Sequence, residues 1–257
     1  SLERPVSRGG LQMLVDILVE FLKGFGIFVG YYAGAVSLLL MFRRFLNPPK
    51  EIVRKAFHLI CAMSALVLLY AFETWYLAVA AALTLAVALF PIFSYLDRFP
   101  KVMEVLVQRT KGEIRSSLVI VYVMMAVLIT LFWGALGPGW KYIVVVSIMA
   151  WGFGDAAAAL VGKAFGKKHI IHRLVEGSKT REGTIAMYAV SGFAIFVTLL
   201  ICTSFPWYLC LVGALLVAPI CALVELISKR GLDTITVPFA TAIPLFLLAV
   251  FFNFFGL

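Results

Sequence analysis

Apolar residues run through this chain in blocks too long for the strands or surface helices of a water-soluble fold. A helix needs about 20 apolar residues to cross a bilayer. Eight segments reach or approach that length: 24–42, 56–72, 74–96, 116–134, 142–161, 184–202, 206–226 and 237–257. The pattern predicts an all-α transmembrane bundle of eight spans, because lipid offers the backbone no hydrogen-bond partners and each amide must be satisfied within its own helix. Only Glu73 separates the second and third blocks, which predicts a tight hairpin there. Residues 11–23 carry Asp16, Glu20 and Lys23 on an otherwise apolar run and are expected as an amphipathic lead-in at the membrane interface. Residues 1–23 would then precede a single bundle over 24–257, which no Gly-, Ser- or Pro-rich linker divides and in which no internal repeat is evident.

Composition points the same way. Hydrophobic residues make up 63% of the chain and charged residues 14%, against about 45–50% and about 25% in globular proteins. That much apolar surface needs lipid as its solvent. The net charge of +9 would fit nucleic-acid binding only if the basic residues formed a solvated domain, and they fall instead in short gaps between spans. Arg43, Arg44, Lys50, Arg54 and Lys55 lie in 43–55, and Arg98, Lys101, Arg109, Lys111 and Arg115 in 97–115. Lys163, Lys167, Lys168, Arg173, Lys179 and Arg181 lie in 162–183, and Lys229 and Arg230 in 227–236. Eighteen of the 22 Lys and Arg are thus placed, always after an odd-numbered span, whereas the gaps after spans two, four and six hold only Lys141. Basic loops stay in the cytoplasm, so both termini are expected outside, with no nucleic-acid partner. Anionic lipid or a polyphosphate substrate is a second expected source of attraction for this charge.

Several features call for no chemistry. Cys61, Cys202, Cys210 and Cys221 all sit in apolar runs without metal-site spacing and read as small buried hydrophobes. Gly26, Gly30 and Gly34 form a small-residue stripe on which a neighbouring helix is expected to pack. Pro91, Pro219 and Pro244 fall inside spans, where neighbouring groups can satisfy the freed carbonyl. No signal peptide is expected, since the first ten residues are polar and charges interrupt the run that follows; a first residue other than Met is expected of a trimmed chain.

The chemistry concentrates near the basic gaps. Asp155, in WGFGDAAAALVGKAFGKKH, is a carboxylate inside a span, and such a costly residue reads first as functional. The plainer alternative is a partner for a Lys or Arg of the bundle, but Gly154 and four flanking alanines leave few side chains nearby for that role. Gly154 and Gly162 would let the backbone approach a ligand, and Lys163 and Lys167 could neutralise phosphate oxygens. This is not a Walker A loop: Ala157 stands where its first Gly is needed, and Ala164 follows Lys163. GSKTREGT at 177–184 adds Lys179, Thr180, Glu182, Gly183 and Thr184, or else is a basic loop with a helix cap. Arg54 and His58 are four apart on one helical face with Lys55 beside them; snorkelling anchors are the alternative. KGEIRSS at 111–117 reads as a charged cap. Glu225 and Asp233 join Asp155 as three carboxylates at one membrane face. Acids for a divalent cation and bases for phosphate oxygens suit a metal-bound polyphosphate.

In this order, RKAFH, KGE, GDAAAALVGKAFGK, KTREGT and VELISKRGLDTITVP, spanning about residues 51–238, resemble the CTP-dependent lipid kinases: dolichol kinase, phytol kinase and the CTP-using diacylglycerol kinase. The resemblance implies that Arg54, Lys55, Asp155, Gly162 and Lys163 belong to a CTP site, that KTREGT joins the same surface, and that CTP phosphorylates a lipid alcohol with Mg²⁺. On that reading Asp155, helped by Glu225 or Asp233, would hold the metal. Asp233, Glu225 and His58, in that order, are the candidate general bases. A polyprenol, dolichol or phytol-type acceptor is expected, with diacylglycerol as another possibility. The Asp-to-Gly-Lys stretch also resembles the CTP:phosphatidate cytidylyltransferases, but their His-Gly-Gly and paired Asp-Arg signature is absent. Cytidylyl transfer is therefore the second reading and a transporter with an intramembrane Asp the third.

Overall fold

The computed structural model describes residues 6–108, 110, 112–173, 175, 179–229 and 231–254, with only the backbone described for 6–9 and Lys101. Of the residues singled out above, Arg109, Lys111, Gly177, Ser178 and Arg230 lie outside the described set, as do the first five residues of the lead-in and the last three of the eighth block. The described chain is all-α. Its helices are α1 (Val6–Leu46), α2 (Lys50–Tyr70), α3 (Trp75–Leu96), the short α4 (Pro100–Val105), α5 (Glu113–Leu128), α6 (Lys141–Phe165), α7 (Arg181–Cys202), α8 (Trp207–Ile227) and α9 (Asp233–Phe254). A π-helical stretch, Ile129–Ala135, prolongs α5. Eight of these helical segments are long and apolar enough to cross a membrane, so the chain is an all-α, multi-pass bundle.

α6 is the axis of the bundle and its most buried span, packed by α2, α7 and α9; α8 bridges α7 and α9, and α3 pairs with α5. Small residues set how close these helices come. A Cβ on Gly152 would lie 2.6 Å from the Ala62 methyl group of α2, and one on Gly183 would lie 2.9 Å from the Ala158 carbonyl oxygen of α6. α1 is the most peripheral span.

The structure moves several expected boundaries. Residues 11–23 are no separate surface helix. They continue into the first span as one 41-residue helix, about 60 Å long at 1.5 Å per residue. Glu20 fixes its height, accepting hydrogen bonds from the Glu73 and Thr74 backbone amides at 3.0 and 2.9 Å. Among the described residues nothing packs on Gly26, Gly30 or Gly34, where a Cβ would meet no atom within 4 Å. Among the described glycines of α1, Gly24 is packed, against the Phe72 ring. α2 begins at Lys50, six residues before the apolar block, so Arg54 and Lys55 are helical as their spacing with His58 implied, and only 47–49 separate α1 from α2. Lys141, the one basic residue in the opposite gaps, donates to the Leu69 carbonyl at 3.0 Å and sits 3.5 Å above the Trp133 ring.

The four basic gaps meet at one end of the bundle. Lys50 pairs with Glu104 of α4 at 3.3 Å, and Arg43 donates to the Glu104 and Val105 carbonyls. Lys163 reaches Glu51 at 3.4 Å. Lys229 donates to the Arg173 carbonyl at 3.2 Å, tying the last two gaps together.

Candidate functional site

At that basic end, a cavity of about 670 Å³ opens among α2, α6, α7, α8 and α9. Each wall follows from local structure. The first three turns of α2 present Glu51, Arg54, Lys55 and His58 at three- and four-residue spacing, which places them on one helical face. α6 presents Asp155, Ala158, Ala159, Gly162, Lys163 and then Gly166 in the same way. After α6 the chain folds back on itself: Ile170 donates to the Lys179 carbonyl and Arg181 to the Lys168 carbonyl, each at 3.0 Å. This holds His169 and Lys179 at the cavity wall. Thr180 then caps α7, its hydroxyl accepting from the Gly183 amide at 3.1 Å, as Thr at an N-cap does. Glu225 closes the wall from the last turn of α8, and Asp233 and Thr234 from the first turn of α9.

The floor is an ion pair. Lys55 donates to Asp155 Oδ2 at 2.6 Å, and both side chains are buried. His58 Nε2 lies 3.2 Å from the same oxygen, but is not aligned for a hydrogen bond and finds no partner among the described residues. The His58 ring packs on Trp151, with centroids 4.3 Å apart. Asp155 therefore has a structural partner, although its own sequence neighbourhood supplies none. Lys55 comes from a helix 100 residues away, so a search among flanking residues could not find it.

The other carboxylates differ in one respect that matters for chemistry. Buried Glu225 is paired with Lys179, which also donates to the Glu225 backbone carbonyl at 3.1 Å. Buried Glu51 is held by Arg54 and faces Lys163. The Asp233 carboxylate makes no hydrogen bond or ion pair with any described residue, although it is near enough to Asp155, Glu225, Lys55 and Lys179 to feel their charges. Among the described residues no three His, Cys, Asp or Glu side chains converge closely enough to hold a metal by themselves. The expected metal set of Asp155, Glu225 and Asp233 lines one cavity, but it is not a preformed cage, because lysines occupy two of its carboxylates.

Of the residues expected to bind nucleotide, the cavity brings together Arg54, Lys55, Gly162, Lys163, Lys179, Thr180, Gly183 and Thr184. Lys167 and Glu182 are not on its wall. Gly154 faces α7, where a Cβ would lie 2.6 Å from Met187 Sδ, so its small size serves helix packing. Gly162 is tight for a related reason, with Thr180 Oγ1 at 3.1 Å from its would-be Cβ. Sequence reasoning missed Glu51 and His169. Glu51 could have been found, since an acid three residues before Arg54 at a helix start predicts both a pair and a shared face. His169 is brought in by the fold-back after α6, which leaves no periodic signal.

A buried ionic lining in an otherwise apolar bundle can bind a polyanion by exchange. Arriving phosphate oxygens can take the lysines from their carboxylates, which frees those carboxylates for a cation. Comparison of the chain with protein-family models, with curated proteins and with solved structures finds no match.

Proposed function

We propose that this protein is an integral membrane kinase that transfers the γ-phosphate of CTP to a lipid alcohol, giving CDP and a lipid monophosphate. One observation carries the reading. A buried Lys55–Asp155 pair floors a cavity where Arg54, Lys163, Lys179, Glu51, Glu225 and Asp233 also face inward, and ionisable groups in a membrane bundle mark function. The ordered motifs quoted above supply the choice of CTP. The preference of basic segments for the cytoplasm supplies the sidedness, placing the cavity where nucleotide is found.

Phosphoryl transfer asks a protein mainly for positioning and charge neutralisation. Lys55, Arg54, Lys163 and Lys179 take those roles toward the phosphates. The acceptor hydroxyl attacks the γ-phosphorus, the bond to the β–γ bridging oxygen breaks, and CDP leaves. Asp233 receives the hydroxyl proton: Glu225 is engaged by Lys179, and His58 packs on Trp151 with its Nε2 3.2 Å from Asp155. Mg²⁺ is commonly held by one or two carboxylates together with substrate phosphates rather than by an all-protein cage. Asp155, once Lys55 has turned to phosphate, fits that pattern. The ion would neutralise charge on the transferring group.

The test is turnover of purified protein with CTP or ATP over a panel of polyprenol, phytol, geranylgeraniol and diacylglycerol. CTP is expected to support far faster transfer, at least to one isoprenoid alcohol. Equal rates with ATP would remove the motif argument.

A further inference from the structure

Beside the ionic cavity lies a second one of different character. An apolar groove of about 420 Å³ runs between the first turn of α2 and the last turns of α6, walled by Pro49, Ile52, Leu160, Val161, Ala164 and Phe165. Glu51 and Lys163 belong to both cavities, so their 3.4 Å ion pair is the seam between them. The two partners differ in freedom. Glu51 is buried and tied to Arg54, whereas the Lys163 side chain is 68% exposed. Ile52 and Phe165, at the outer rim, are exposed on the outer surface of the bundle.

We propose that this groove holds the hydrocarbon chain of the acceptor, whose polar end passes over the Glu51–Lys163 seam into the ionic cavity. The identity of that polar end as an alcohol rests on the kinase reading; the groove itself does not. A wholly water-soluble acceptor gains nothing from an apolar channel joined to a charged chamber. An amphiphile needs both, with the change from apolar to ionic lining where the molecule itself changes. The bundle has other exposed apolar side chains, such as Val87 and Leu247, but neither lines the ionic cavity. Lys163 serves as the movable half of the threshold: it can leave Glu51 for a phosphate and open the seam as nucleotide binds.

The experiment is photolabelling of the intact chain in lipid nanodiscs with a long-chain alcohol bearing a diazirine in its tail, with label mapped by mass spectrometry. Label is expected to concentrate on 49–52 and 160–165, above Val87 and Leu247, and to be competed by unlabelled alcohol. Ala164→Trp fills the groove from an exposed position and should cut that labelling by about tenfold or more, the loss expected when two or more methylenes leave an apolar contact. It should also raise KM for the long-chain alcohol without changing KM for CTP. Phe165→Ala, which removes an exposed wall, should weaken labelling as well. Label spread evenly over lipid-facing positions, or unchanged in both variants, overturns the proposal. Label concentrated in the groove of a protein that phosphorylates no alcohol keeps the amphiphile site and sinks the kinase reading instead.

Discussion

Asp155 and Lys55 show what one residue can and cannot reveal. A carboxylate within a span was legible as special from its cost alone, but its partner was not, because Lys55 is 100 residues away on another helix. Removing one member of a buried pair strands the other and typically costs about 3–5 kcal/mol. Asp155→Asn should therefore lower the melting temperature and abolish turnover together. The double variant Lys55→Met with Asp155→Asn separates the two roles. Stability should return toward the parent value, while turnover with CTP stays absent. A double variant that is stable and active would make the pair purely structural. Asp233 has no ion pair to lose among the described residues, so Asp233→Asn should leave melting nearly unchanged. Turnover should fall by about a hundredfold or more, as for loss of a general base. A near-normal rate would remove Asp233 from the reaction.

Among the helices, hydropathy found every span and misplaced their ends for a physical reason. The apolar block was cut before residue 56 because Arg54 and Lys55 are charged, yet the helix runs on through them, and they lie on the cavity face of α2, where acids satisfy them. Glycines were harder still, since a small-residue stripe looks the same in sequence whether its face is packed or bare. The difference is measurable. Gly183→Ala forces a Cβ to 2.9 Å from a backbone carbonyl of α6, and overpacking of this kind costs about 1–3 kcal/mol. Gly30→Ala meets nothing within 4 Å and should be neutral or stabilising by up to about 1 kcal/mol, the helical preference for Ala over Gly. Thermal melting in detergent reads both. Equal destabilisation would mean that α1 packs on something through its glycine face.

For the whole molecule, the four basic gaps form one charged end around one cavity, and the alternation of basic and neutral gaps along the sequence had marked that end. With the native cysteines replaced by Ala, Lys168→Cys should react with a charged thiol reagent only from the cytoplasmic side and Gly139→Cys only from outside. Gly139 is the better outer position, because Gly137 has φ +99°, which favours glycine. Reaction of both from one side contradicts the eight-span topology. The cavity's chemistry is tested most directly by following the two ends of CTP. Purified protein is given a long-chain isoprenoid alcohol with CTP labelled at either the α- or the γ-phosphate. The γ-label should move to the lipid while the α-label stays water-soluble in CDP. The α-label appearing on lipid with release of pyrophosphate, or neither label reaching any lipid alcohol, would contradict the assignment.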